Sequence, residues 1–404
     1  MKRPWLIGLI VLTASLASLD ASSIQARQAP PPASPPPPQG EPVSAAEIAA
    51  SIDKLGSFDL PVRTAASRTV RRASPDRAVP ALVKAVRDHA NGYVRYRALV
   101  LLAGFSDWSA AETMHQVLTD KNDRLRTVAY SWYGHHPDKA VLPALIDALS
   151  REQSEFVRPA LLRALAAYGD DPRARDQILP LIMRGQDDFR GGLIEALGDY
   201  HATFAIPNIT EVAKLDGPLQ DDAVTALGKL GGEQSHTLLA EMQRSGPRDL
   251  QPSLAAALCL LGANCAANED YLKKSLAFAA TSDNAPLLRG TSHALAVLAT
   301  QNNAGALTAL LDSGVPSKDP VRASIALAVG LVALRNTALL LKVLDARTDL
   351  DAAGDLLRDA FDEVSSEDYE LERFYVEVRH EYWAAAPNSP RRKLTDALIR
   401  KLEF

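Results

Sequence analysis

From residue 60 onward, apolar residues recur every three or four positions in short runs, each entered through a polar break and a basic residue. In YVRYRALVLLAGF (93–105), Val94, Ala98, Leu101 and Leu102 fall at i, i+4, i+7 and i+8, the spacing of one helix face. Phe189, Leu193, Ala196 and Leu197 repeat it. Ahead of each run lies a segment with proline near its start, as in RAVPALVKAV (from 77), KAVLPALIDAL (from 139), QILPLIMRG (from 177) and FAIPNITEVAK (from 204). First-turn N–H groups have no intrahelical partner, so these read as helices opened by proline. The turn between the two helices carries Asp59, Asn91, Asp123, Glu155, Asp187 or Asp319, residue types suited to capping the second helix.

The basic residue opening the second helix is Arg63, Arg95, Arg126, Arg158, Arg190 and Arg322. The first four steps are 32, 31, 32 and 32 residues; weaker copies at Gln220, Gln251 and Arg289 fill the remainder with steps of 30, 31, 38 and 33. Self-similarity at this period is the signature of a stack of helix pairs, none of which buries its apolar face alone. The pattern predicts an all-α fold, a right-handed α-solenoid of about nine or ten stacked antiparallel helix pairs. The 38-residue step around TSDNAPLLRG predicts a longer loop from about Asn264 to Asn284.

The first-helix proline, the acidic turn and the Val-Arg opening of the second helix (PVRTAAS, FVRPALL, PVRASIA) resemble HEAT repeats, especially the short HEAT-like repeats also found in phycobilisome lyases. The resemblance covers about residues 45–360. It implies that turn acids and the six arginines form a ladder between repeats, interrupted at Gln220 and Gln251. It also implies that the second helices line a concave face, at Arg68, Val100, Ser131, Arg163, Glu195, Thr225 and Leu327. Tyr96, Arg163, Arg68 and Glu195 are the candidates for partner binding, because Tyr and Arg combine contact area with polar reach. The competing reading makes them ordinary solvated helix residues.

The ends of the chain differ in kind. Lys2 and Arg3 precede an uncharged run from Pro4 to Leu19, followed by small residues, which is the pattern of a secretory signal cleaved after Ala17 or Ala26. An uncleaved N-terminal anchor is the alternative. QAPPPASPPPPQGEP cannot form a helix and reads as a polyproline spacer. The expected division is 1–26 signal, 27–44 proline-rich linker, 45–360 solenoid and 361–404 C-terminal helical cap. FDEVSSEDYELERFYVEVRHEYW breaks the period and concentrates aromatics, as a capping element would. Ser389 and Pro390 open a last amphipathic helix.

Composition narrows the function. A net charge of −5 opposes general nucleic-acid binding, which needs a basic face. There is no phosphate-binding glycine loop, nucleophile elbow or C-x-x-C. His135-His136 reads as a solvated turn. Glu377 and His380 make one E-x-x-H, half of a di-iron motif that needs a second copy on facing helices. Cys259 and Cys265 are the only cysteines, and in an oxidising compartment such a pair predicts a disulfide. The expectation is an exported, periplasmic or extracellular scaffold that binds a protein partner, with no cofactor and no membrane span after signal cleavage. The alternative is an enzyme, or an enzyme accessory, holding a polypeptide or sugar in the groove.

Overall fold

The computed structural model describes residues 43–105, 108–282, 284–364 and 368–404. The expected signal segment and most of the expected proline-rich linker lie outside the described residues.

All regular structure among the described residues is helical, arranged as successive antiparallel pairs. The first pairs are α1 (Ala45–Lys54) with α2 (Leu60–Arg72), α3 (Pro75–Asp88) with α4 (Gly92–Ala103), and α5 (Trp108–Val117) with α6 (Asp123–His135). Next come α7 (Leu142–Arg151) with α8 (Arg158–Ala167), α9 (Pro172–Ile178) with α10 (Asp187–Asp199), and α11 (Ile206–Ala213) with α12 (Gln220–Leu230). Then follow α13 (Glu233–Ser245) with α14 (Gln251–Leu260), and α15 (Cys265–Ala279) with α16 (Ala285–Thr300). The stack ends with α17 (Ala304–Gly314) and α18 (Val321–Arg335), α19 (Thr337–Asp345) and α20 (Leu350–Glu363), and finally α21 (Asp368–Ala384) and α22 (Pro390–Lys401). The fold is an all-α solenoid.

Two local expectations are corrected. Residues 265–279, expected as loop, form the helix α15, and only a short turn separates it from α16. The segment is rich in helix formers and is reinforced by Glu269–Lys273 and Asp270–Lys274 ion pairs at i, i+4. The turn acids are also not the main caps. Asn122, not Asp123, occupies the cap of α6, and both side chains accept from the Arg124 N–H; Asp59 caps without a side-chain bond; Val157 occupies the cap of α8. Asn91 does act as expected, accepting from the Tyr93 N–H.

The repeating arginines do a different job. Arg95 donates to the Val86 carbonyl, Arg158 to Leu149 and Glu152, Arg190 to Ile182, and Arg322 to Gly314 and Val315. Each thereby satisfies carbonyls that the preceding first helix or its turn leaves unpaired. Arg63 binds Ser57 and Phe58 in the same manner. Arg95, Arg126 and Arg322 also reach the next repeat, at Asp120, Glu152 and Asp359. Gln220 and Gln251 keep the carbonyl bonds, to Ala213 and to Gln243 and Gly246, but carry no charge for a carboxylate.

Second helices pack directly on second helices from α6 through α20. Small residues permit this: a Cβ on Gly228 would fall 2.5 Å from Ala257 Cα, and one on Gly198 would fall 3.1 Å from Ala226 Cα. Close approach along one side curves the stack toward that side. The curvature is enough for the last elements to meet the first, with α21 against α4 and α6. Across the turn from α14 to α15, Cys259 and Cys265 are joined through their sulfurs. Among the described residues no single helix is long and apolar enough to cross a membrane.

Candidate functional site

The inner face is formed by the second helices and is spanned twice. The first crossing joins α18 to α10. Arg335 binds Glu195 at 2.9 Å and also binds Asp199, 136 residues away in sequence. Asp199 further accepts from Lys229 at 2.6 Å and from Arg163 at 2.5 Å. Burial alone would raise its pKa, but the three cations outweigh that and hold the carboxyl well below the usual range.

Beside this crossing lies a cavity of about 110 Å³, bounded by Glu195 and Asp199 of α10, Asp222 and Lys229 of α12, His293 of α16, and Leu331 and Arg335 of α18. Asp222 is the unusual group. Burial, then the charges of Glu195 and Asp221, push its pKa up to about 6, against a smaller opposing pull from Lys229. Burial likewise lowers the pKa of His293 and keeps the ring neutral. Among the described residues no cluster of His, Cys, Asp and Glu has a metal-binding arrangement.

The second crossing is α21. Asp368 accepts from Tyr96 Oη at 2.5 Å and pairs with Arg97 at 2.7 Å. Glu370 meets His135 at 2.7 Å and Arg373 at 2.6 Å. Burial would raise the Glu370 pKa, yet the His135 hydrogen bond and the electrostatic pull of His135 and Arg373 bring it down to about 2. Glu372 takes a bidentate bond from Arg71, with the two side chains only 2% and 6% exposed, and Arg379 lies 3.6 Å away.

The four residues expected to bind a partner are on this face, but none is a free helix residue. Tyr96 is held by Asp368, Arg163 by Asp199, Glu195 by Arg335, and Arg68 by the Glu403 carbonyl and carboxylate. The competing reading of them as ordinary solvated helix residues is therefore corrected. His135 is corrected as well: it ends α6 and binds α21, while the His136 ring stacks on Trp132 at 3.9 Å. Glu377 and His380 are exposed on α21. Sequence reasoning missed Asp199, Asp222, Lys229, His293, Arg335 and the acids of α21. Their partners are supplied by closure across the stack, which has no signal at the repeat period.

Residues 79–166 and 112–198 each match the family model described as HEAT repeats. Residues 79–198 carry HEAT repeats. A search of curated proteins returned no match. Solved structures similar to this HEAT-repeat chain include YibA of E. coli, at 17% identity over 54% of this chain and 82% of that one, TM-score 0.39. Another is the CpcE–CpcF complex of phycocyanin lyase from Nostoc sp. PCC7120, at 20% identity over 73% and 96%, TM-score 0.28. Human deoxyhypusine hydroxylase is similar at 20% identity over 67% and 99%, TM-score 0.28.

Proposed function

We propose that this HEAT-repeat chain is an exported, non-catalytic scaffold, periplasmic or extracellular, that binds a protein partner through the inner face of its solenoid. The observation that supports this most is α21 itself: side chains of α2, α4 and α6 already hold a helix by charge and hydrogen bonding. Such a face is built for polypeptide recognition, and a stack of repeats presents it rigidly. The export reading rests on the basic start, short apolar run and small residues of the first 26 positions. A second reading, substrate holding for an enzyme, is favoured by Asp222, whose pKa near 6 suits proton exchange with a bound group.

Photo-crosslinking in the native cell distinguishes faces. A crosslinker at Ser131 or at Leu327, which is half exposed one turn before Leu331, should capture one protein. The same group at Lys84 or Arg87 on α3 should capture none. Capture from α3 alone overturns the inner-face assignment, and recovery of a full-length chain in the cytosol overturns the export reading.

A further inference from the structure

The two sides of α21 differ in chemistry. Toward the end of the chain it is apolar: Phe374 packs edge-on to Phe361 at 4.9 Å and lies near Phe404, and Val378 is fully buried with them. Toward the start of the chain it is polar. Asp368, Glu370 and Glu372 face Tyr96 and Arg97, His135, and Arg71, while Arg71 also lies over the Tyr375 ring at 5.0 Å. Permanent interfaces are dominated by apolar contact, whereas charged groups regain hydration when separated. The polar seam is also incompletely satisfied. Tyr369, 5% exposed against Trp132 and His135, has a buried hydroxyl with no partner among the described residues, and Arg379 Nη1 likewise has none among them. Buried polar groups left unpaired favour exchange for an occupant that pairs them.

We propose that the inner faces of α2, α4 and α6 form a slot for an acidic helix of the partner protein, and that α21 fills this slot until the partner's helix displaces it. The proposal rests on the scaffold reading and names the partner's chemistry: carboxylates near the start of a helix, set against Arg71, Arg97 and His135. Opening leaves α21 attached to α18, α20 and α22 through Phe374 and Val378, and exposes the charged seam together with Tyr369 and Val376.

The probe is a fluorescent peptide of residues 368–384, titrated by anisotropy into the full chain and into a full-chain Asp368→Asn/Glu370→Gln variant. Glu372 is left intact, so Arg71 keeps its partner, and circular dichroism checks that the variant is folded. The variant should bind the peptide at least about tenfold more tightly than the unaltered chain, because its slot is open for a larger fraction of the time. Adding Arg97→Glu should remove that binding, as should high salt. Equal binding by the folded variant and the unaltered chain overturns the proposal. So does equal binding of a peptide with its three leading acids amidated, or dimerisation of the variant through exchange of its own α21. Inner-face crosslinks without peptide binding overturn the acidic-helix assignment and spare the scaffold reading.

Discussion

Asp222 is held at a thermodynamic disadvantage in the folded chain, and its replacement by Asn should expose that. Its Oδ2 sits 2.7 Å from where a side chain on Gly191 would begin, so the carboxyl is pressed against α10. Glu195 and Asp199 of α10 and Asp221 of its own helix add negative charge, while Lys229, His293 and Arg335 complete the surroundings. A carboxyl whose pKa rises from 3.8 to about 6 binds its proton more tightly when folded. The contribution of Asp222 to stability is therefore greatest below about pH 4 and is lost as pH climbs through 6, where the folded chain must ionise the group. That interval corresponds to about 3 kcal/mol at neutral pH, reduced to about 1–2 kcal/mol because the side chain is only half-buried. Asp222→Asn keeps the shape and removes the ionisation, so it should stabilise by that amount near pH 7, and the gain should shrink to a few tenths near pH 4. Paired urea titrations followed by circular dichroism measure it, and comparison with the unaltered chain cancels the opposite contribution of His293. A destabilised variant, or a gain independent of pH, would refute the argument and make Asp222 a hydrogen-bonding or packing residue.

Other outcomes follow from the packing. Gly228→Ala should destabilise by about 2–4 kcal/mol, because the new methyl meets Ala257 backbone that cannot yield without parting α12 from α14; an unchanged urea midpoint would refute that contact. Arg126→Ala should cost about 2–4 kcal/mol by stranding Glu152, only 6% exposed, and Arg126→Lys should recover little since it cannot bond both carboxylate oxygens. Thiol titration of the denatured, unreduced chain should find none, and two thiols would exclude the Cys259–Cys265 bond.

Much of the helix stack was legible because local forces set it. Pro143 and Pro207 open their helices as expected, the apolar spacing and the six arginines recur along the stack, and one repeat interprets another, whereas Pro80 falls inside α3, which Pro75 opens. The errors fell where two local readings compete. At 265–279 the lengthened step looked like an insertion, although NEDYLKK pairs its own charges along a helix. The turn acids looked like caps, but the carbonyls of the preceding helix ask more of the chain than the N–H groups of the next. The arginines therefore turn back to those carbonyls, and three of them also reach acids lying outside the expected set: Asp120, Glu152 and Asp359.

The inner face was legible as a face and not as a site. Tyr96 and Arg163 can be assigned to the inner side from their register in one helix. Their occupants, Asp368 and Asp199, depend on the accumulated curvature of every intervening pair. Curvature is set by how closely second helices approach, and hence by Gly198, Gly228 and Gly330, each of which reads singly as a small residue in a helix. A bulkier residue at Gly198 or Gly228 would move α18 relative to α10 and lengthen the Arg335–Asp199 contact, although neither partner had changed. The charge pattern of the inner face is thus coupled to packing on the seam behind it, and substitutions in that seam should alter binding at the inner face as well as stability.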